Sequence, residues 1–222
     1  MGFSLRQGIS FCEVSGRLMF LDVATDRYFC LGQRTEHAMR VAISGDDTDA
    51  AAQEGLQILL GTGILVHTDD DQHPAPCPLP AEPSYSLLDM PARGSSARAK
   101  AAALRELAAV RLSLRHRSLQ RALISTDVRK AGMGPPPADA PEVARAVAMA
   151  FDWSARLLRS HDQCLPRSIA VTRRLAACGV KADLVIGVSL FPFAAHSWVQ
   201  LGSLVVNDRV DGVRHFTPIL VL

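Results

Sequence analysis

The chain has 222 residues, 48% hydrophobic and 21% charged, which is typical of a soluble globular protein with one full domain and a smaller one. Its formal net charge of +2 argues against a nucleic-acid-binding protein, and no apolar run approaches the roughly 20 residues of a membrane span. Five cysteines are too few for a disulfide scaffold and no secretory signal opens the chain, so we expect a cytoplasmic protein.

Charge is unevenly distributed along the chain. Residues 1–92 carry 5 basic and 13 acidic side chains, a net charge of −8, whereas residues 93–130 carry 10 and 2, a net charge of +8. Residues 131–222 carry 9 and 7. Of the 24 basic residues 3 are lysines, which together with abundant alanine suggests a GC-rich bacterial genome. Any function must therefore accommodate three segments of different charge.

Residues 1–66 predict a small module of strands and helices. Strands of β-branched, aromatic and leucine residues, separated by turn signals, are predicted at 9–14, 18–22 and 27–31. A helix over 34–43 ends near Gly45, and Thr48 is placed to cap a second helix that runs to about Leu60. Residues 64–66 are predicted to return as a strand.

Residues 67–95 are predicted to be a proline-rich linker. Three consecutive aspartates and closely spaced prolines exclude a regular helix or a central sheet strand. A helix follows over 96–124, where Leu104, Leu107 and Val110 belong to an apolar stripe and arginines supply charge. This basic helix is interpreted either as the solvated helix of a bundle or as a helix that binds a partner. A nucleic-acid contact is the least favoured interpretation, because the helix has no aromatic residues for base stacking.

The second domain, 96–222, is predicted to place helices before strands. A capping-box pattern at Asp139-x-x-Glu142 opens one helix, and another begins near Cys164 and stops at Gly179. Strands are predicted at 180–188, 195–201 and 204–208. This order of helices followed by an antiparallel sheet indicates the α+β class.

Cys164 differs from the other cysteines in its position. At the start of a predicted helix, unpaired N–H groups and the helix dipole stabilise a thiolate, although burial as a small apolar side chain is the alternative. Cys12, Cys30 and Cys178 fit buried positions in strands or a helix, and Cys77 falls in the linker. No metal site is expected, because no C-x-x-C pair exists and Cys164 and Cys178 lie roughly 21 Å apart along one helix.

A histidine and a carboxylate complete a candidate constellation with Cys164. His196 opens a predicted strand and Asp208 ends the next one, while His161 and His215 are the other histidines in this region. A thiolate can attack a carbonyl carbon, an imidazole can protonate the leaving amine, and a carboxylate can fix the imidazole tautomer. These residue types therefore point to a thiol protease.

The turn between those two strands decides whether the constellation can form. A two-residue turn would set His196 and Asp208 on opposite faces of the sheet. We therefore predict a three-residue loop, or an equivalent one-residue bulge, that places the two residues opposite each other.

Four segments of the second domain share a specific order and spacing. They are Cys164-Leu165-Pro166-Arg167-Ser168, Leu184-Val185-Ile186-Gly187-Val188, Pro192-Phe193-Ala194-Ala195-His196-Ser197-Trp198-Val199 and Val206-Asn207-Asp208. Together they resemble the lasso-peptide biosynthesis B protein family over about residues 100–222. The resemblance implies a transglutaminase-like, papain-related cysteine protease domain without cofactors, in which Cys164 is the nucleophile, His196 the general base and acid, and Asp208 the group that orients the imidazole. Gln163 could assist the Cys164 N–H at an oxyanion, or be an exposed polar residue.

The N-terminal module resembles a precursor-peptide recognition element, a winged-helix-like fold with a three-stranded antiparallel sheet, although two helices are readable where the fuller fold has three. This resemblance implies that a leader peptide adds as a strand at the edge of residues 27–31, against a wall formed by the second helix. Candidate leader contacts are Tyr28, Phe29, Leu56 and Leu59, for each of which core packing is the alternative.

Both resemblances together imply a maturation protease that binds a leader, hydrolyses the leader–core bond of a precursor peptide and supplies the core to an asparagine-synthetase-like, ATP-dependent macrolactam cyclase. The expected partners are this precursor and this cyclase, with no nucleic acid and no membrane. Two alternatives remain open, a transglutaminase-like acyl transferase and a non-catalytic adaptor that delivers the precursor to the cyclase. The basic helix would face either the acidic N-terminal segment or an acidic patch of the cyclase, and reversing Arg111, Arg115 and Arg117 tests the latter.

Overall fold

The computed structural model describes residues 2–46, 49–91, 94–116, 118–134, 137–157 and 163–222, with side chains 156 and 157 excepted. These residues form two compact units, one ending at Cys77 and one beginning at Pro78. The predicted α+β class is confirmed, because helices and largely antiparallel strands occur in both units. The segment predicted as a linker is divided between the units rather than standing apart from them.

Strands of the N-terminal unit form a sheet with the order β2-β3-β4 and a separate antiparallel pair of β1 and β5. The strands are β1 (Gly2–Leu5), β2 (Ile9–Val14), β3 (Arg17–Asp22), β4 (Arg27–Cys30) and β5 (Leu65–Thr68). β2 to β4 agree with the sequence pattern. The pattern does not predict β1, because its four residues become a strand only by pairing with β5, from Gly2 opposite Thr68 to Leu5 opposite Leu65.

Two helices cover the β2-β3-β4 sheet of this unit, α1 (Gln33–Ser44) and α2 (Ala50–Gly61). Asp49, not Thr48, caps α2, since its carboxylate accepts a hydrogen bond from Ala52 N at 2.6 Å. Thr48 lies outside the described residues. Leu56 and Leu59 are buried in the core between helices and sheet, with exposed fractions of 5% and 0%.

The first part of the predicted linker is bound to the N-terminal unit by its backbone. Phe3 N donates to Gln72 O at 2.8 Å, and Cys77 N donates to Phe11 O at 2.7 Å. A chain rich in aspartate and proline cannot continue a helix, but its remaining amides and carbonyls can still pair with a strand edge. That is why this segment is ordered without regular secondary structure.

The C-terminal unit combines helices with a sheet of the order β10-β7-β8-β9-β6. Its elements are β6 (Tyr85–Ser86), α3 (Ala97–His116), α4 (Leu119–Lys130), α5 (Ala140–Leu157), α6 (Cys164–Ala177), β7 (Asp183–Leu190), β8 (Phe193–Leu201), β9 (Leu204–Val205), α7 (Val210–Val213) and β10 (Thr217–Val221). α6 packs against α3, α4 and α5 and against β8, so it is the central helix. Ile169, Ala170 and Val171 are completely buried along it. This packing fixes the helix that carries Cys164.

The predicted helix over 96–124 is two helices. α4 begins after Ser118, whose hydroxyl accepts a hydrogen bond from Arg121 N at 3.4 Å and so caps a new helix. Arg173 of α6 then holds α4, donating to Thr126 Oγ1 and Ala122 O, both at 3.0 Å. None of the helices in the described part of the chain combines the length and apolar character that a membrane crossing requires.

Candidate active site

Cys164 is the first residue of α6, the central helix of the unit. Gln163 occupies the cap position and, within the described residues, its side chain makes no capping hydrogen bond. Its backbone carbonyl accepts from Arg167 N at 3.1 Å and starts the helix. The thiol therefore lies where the first-turn N–H groups of a helix concentrate partial positive charge.

His196 lies on β8, directly opposite Gly187 of β7. Its ring contacts the rings of Phe216 and Trp198, with centroid distances of 5.1 and 6.3 Å. A Cβ at Gly187 would come within 2.8 Å of both of these aromatic residues. The absence of a side chain at this one position thus lets the two aromatic residues close around the imidazole.

Asp208 and His196 form a close ion pair. His196 Nε2 is 2.6 Å from Asp208 Oδ2, and each side chain is 23% exposed. The hydrogen bond to Asp208, followed by that to Cys164, outweighs burial and raises the pKa of His196 from 6.5 to about 9. The imidazole is therefore charged at neutral pH.

The thiol of Cys164 is stabilised as a thiolate by the same arrangement. Burial alone would raise its pKa, but hydrogen bonds from His196 and Ser197 and the charge of the imidazole bring the pKa below the ordinary value of 9.0. Because Asp208 occupies Nε2 of the ring, Nδ1 is the nitrogen left to face the thiol. The pKa of Asp208 is lowered despite burial, by His196 and by the Arg209 N–H at 2.7 Å.

The turn that precedes Asp208 is not the one predicted. Leu201 pairs with Leu204, so β8 and β9 are joined by a two-residue turn and the three-residue loop is wrong. In a regular hairpin this register would put His196 and Asp208 on opposite faces. The paired residues end at Val205, however, and although Val206 N still donates to Val199 O at 2.8 Å, residues 206–208 bend out of strand geometry. This bend, rather than the turn, brings the carboxylate to the imidazole.

Asn207 holds the bend. Its Oδ1 accepts from Val199 N at 2.7 Å, in the place that a backbone carbonyl would take in a regular ladder. Its Nδ2 donates to Ser168 Oγ at 2.9 Å, and its backbone carbonyl accepts from Arg167 Nη2 at 2.6 Å. Ser168 Oγ in turn donates to Ser197 O at 2.9 Å. The elements that carry the cysteine, the histidine and the aspartate are thus joined by one buried network.

Other candidates from the sequence lie elsewhere. His215 is exposed, and His161 lies outside the described residues. Burial, with Cys77 and Cys30 nearby, raises the pKa of Cys12 to about 12, which makes this thiol a poor nucleophile. Among the described residues, no three histidine, cysteine or acidic side chains are grouped to hold a metal ion.

The predicted leader contacts divide into two kinds. Leu56 and Leu59 are core residues, so their burial leaves them no surface to offer a peptide. Phe29 is partly buried against the same core and stacks on Phe20 at 5.3 Å, while Tyr28 is half-buried on β4. In the described residues β4 is an edge strand of its sheet.

Sequence reasoning missed one residue next to the triad, Ser86, which donates a hydrogen bond to Asp208 O. It sits among prolines in the segment predicted as a linker, where no hydrophobic period or capping pattern marks it.

Comparison with known proteins relates the C-terminal unit to one family. A sequence model described as the transglutaminase-like superfamily matches residues 106–221, a range that includes Cys164, His196 and Asp208. Microcin J25-processing protein McjB of Escherichia coli is 49% identical over 47 residues. That stretch is 21% of this chain and 23% of the relative, so it covers less than a quarter of the relative's length. No solved structure matches the chain.

Proposed function

Because this chain belongs to the transglutaminase-like superfamily, we propose that it is a cysteine peptidase with Cys164, His196 and Asp208 as its catalytic triad. One observation supports this most directly. Hydrogen bonds from His196 and Ser197 overcome burial and lower the pKa of Cys164, while hydrogen bonds to Asp208 and then to Cys164 raise the pKa of His196 to about 9, which favours a thiolate–imidazolium pair at neutral pH. An unreactive structural cysteine would have its pKa raised by burial, as Cys12 does.

Peptide hydrolysis at this site proceeds through a thioester. The Cys164 thiolate attacks the carbonyl carbon of the scissile bond, and the His196 imidazolium gives its proton to the leaving amine. The neutral imidazole then takes a proton from water, whose oxygen attacks the thioester and releases the thiol and a carboxylic acid. Asp208 keeps the ring oriented and stabilises its charged form throughout. The Cys164 N–H and the Gln163 side chain are the proposed oxyanion donors.

The proposed substrate is a ribosomally made precursor peptide with a leader and a core. Its support is the relative's name, which describes a protein that processes microcin J25. In the described residues β4 is an edge strand, the position at which a leader strand would add to the sheet, and Tyr28 and Phe29 lie on that strand. Cleavage would take place in the bacterial cytoplasm and give the core a new N-terminal amine, the group that an ATP-dependent macrolactam cyclase needs.

Replacing the nucleophile tests this function. We expect purified wild-type protein to cleave the precursor peptide encoded beside its gene, and Cys164→Ala to bind the leader without cleaving it. Cys178→Ala is the matched control, because Cys178 ends the same helix that Cys164 begins. It should cleave as wild type does. Persistent cleavage by Cys164→Ala, measured by mass spectrometry, would contradict the peptidase proposal.

Product masses separate the remaining functions. Hydrolysis adds one water across the two fragments, whereas acyl transfer joins the acyl fragment to an amine and adds no water. An adaptor binds the leader and leaves the precursor intact when cyclase, ATP and precursor are all supplied. If wild-type protein gives the acyl-transfer product, the transferase replaces the peptidase proposal, and if it leaves the precursor intact, the adaptor does.

A further inference from the structure

The segment that precedes the superfamily match is bound tightly to the active-site hairpin. We call residues 81–89 the strap. Within it, β6 lies parallel to β9, Ser84 N donates to Ser203 O at 2.9 Å, and Leu87 N donates to Val205 O at 3.0 Å. The buried side chain of Gln200 donates to Ala81 O as well. The strap is therefore an additional strand of the catalytic sheet, although the superfamily match begins only at residue 106.

Ser86 connects the strap to the triad. It is buried, with an exposed fraction of 4%, and its hydroxyl donates to the backbone carbonyl of Asp208 at 2.5 Å. The same oxygen accepts from Leu88 N at 3.0 Å. A serine hydroxyl has a single hydrogen, and the bond from Leu88 leaves that hydrogen for Asp208. Because a carbonyl oxygen can only accept, Ser86 is the donor to Asp208, and the Leu88 N–H is compatible with this arrangement.

The bend makes this hydrogen bond necessary. Regular pairing of β9 with β8 stops at Val205, so the Asp208 carbonyl is directed away from the ladder that would otherwise satisfy it. Ser168 holds Asn207, the residue before Asp208, and the Arg209 N–H holds the Asp208 carboxylate. Ser86 holds the backbone carbonyl of Asp208, a group that neither of these contacts engages.

We propose that Ser86 is a positioning residue, which the strap holds against Asp208 and which acts through Asp208 to keep the imidazole of His196 charged and oriented. The proposal rests on the proposed function of the triad. Ser86 touches no reacting atom, so its effect must be visible in the ionisation of the cysteine–histidine pair rather than in peptide binding.

Alkylation of Cys164 by iodoacetate measures this effect without a peptide substrate. The reagent is an anion, so its rate is high while the thiolate is accompanied by an imidazolium and declines as pH rises through the pKa of His196, about 9. In full-length Ser86→Ala we expect the ionisation equilibrium of His196 to shift about fivefold, roughly 0.7 pH unit, the factor that corresponds to one ordinary hydrogen bond, so that the alkylation rate at pH 9 falls about threefold. The declining limb of the profile should move to lower pH.

Two variants and one internal control make the test specific. Ser84→Ala removes another hydroxyl of the strap. Ser84 is exposed and its hydroxyl makes only a weak hydrogen bond, at 3.3 Å to Glu82 O, so the alkylation rate of this variant should match that of wild type. Ser86→Thr retains the hydroxyl and should recover most of the rate. Alkylation of Cys178, at the other end of α6, reports whether the helix has loosened and should stay constant.

A wild-type profile in Ser86→Ala, or an equal loss in Ser84→Ala, would overturn the proposal. So would a rise in Cys178 labelling that parallels the change at Cys164, because it would assign the effect to unfolding. These results are independent of the peptidase test. If no precursor is cleaved, the alkylation profile still reports on Ser86, and if Ser86→Ala behaves as wild type, the peptidase proposal still stands on Cys164→Ala.

Discussion

Replacing Asp208 by alanine should remove the main support of the charged imidazole. The hydrogen bond to Asp208 is the largest contribution that raises the pKa of His196 from 6.5 to about 9, and Cys164 supplies the next. The full difference is equivalent to about 3 kcal/mol of preference for the charged ring. At pH 7.5 a group of pKa about 9 is about 97% protonated, but a group of pKa 6.5 is only about 9% protonated. Because Cys164 still contacts the ring in Asp208→Ala, we expect a shift of roughly two pH units rather than the full difference, and so an imidazolium population about fourfold lower at that pH.

The measurement is the pH dependence of Cys164 alkylation by iodoacetate, followed peptide by peptide with mass spectrometry so that the other cysteines are counted separately. In wild-type protein the rate should rise through the lowered pKa of Cys164 and decline near pH 9. In Asp208→Ala the rise should begin at higher pH and the decline should move roughly two pH units toward neutrality. Cleavage of the precursor should lose at least the same factor.

Asp211→Asn is the matched control, because it removes an exposed carboxylate three residues further along the chain. Its profile should coincide with that of wild type. A decline that stays near pH 9 in Asp208→Ala would refute the assignment of Asp208 as the partner of His196. An equal displacement in Asp211→Asn would show that general charge, rather than the 2.6 Å contact, sets the pKa of the ring.

Two further predictions concern stability. Gly187→Ala places a Cβ 2.8 Å from atoms of both Phe216 and Trp198, so we expect a loss of about 1–3 kcal/mol, visible as a lower thermal midpoint, whereas an unchanged midpoint would show that the rings move freely. In the N-terminal unit, burial opposes the ionisation of Glu36, but Arg17 at 2.8 Å and other donors hold the pKa of Glu36 below 4.5. This pair therefore stabilises the unit above pH 4.5 and is lost as pH falls through the lowered pKa. Hydrogen exchange of that unit should show Glu36→Gln to be less protected at pH 7 and less sensitive to acid, and equal acid sensitivity would contradict this.

Local patterns predict many of the regular elements in both units. β2, β3 and β4 follow from short runs of strand-forming residues separated by turn signals, and the helix over Cys164–Ala177 follows from a proline in its first turn and Gly179 beyond its end. Local patterns also predict the cysteine and the histidine of the triad, because a cysteine at a helix start and a histidine on a strand can be recognised in the sequence. These features depend on neighbours within a few residues.

The remaining features depend on contacts between distant residues. The segment over 204–208 has the composition of a continuous strand, and it stops at Val205 only because the Asn207 side chain replaces a backbone partner of Val199. The strap forms by pairing with residues more than 100 positions away, so its prolines indicate a linker. The basic helix is divided at the single cap at Ser118. One capping residue is a weak signal in a sequence whose apolar residues continue at helical spacing. Patterns of neighbouring residues cannot predict these three features.

The contact between Ser168 and Asn207 has a consequence for how this protein can change during evolution. Asn207 uses its amide oxygen and its amide nitrogen for different partners, and Ser168 both donates and accepts, so, apart from Ser168→Thr, a substitution at either position removes or displaces a group that makes one of these hydrogen bonds. A change at one position leaves a buried polar atom unmatched until the other changes too. Sequences that descend from a common ancestor with this chain should therefore replace the two residues together, even though they lie 39 positions apart and neither one performs the chemistry.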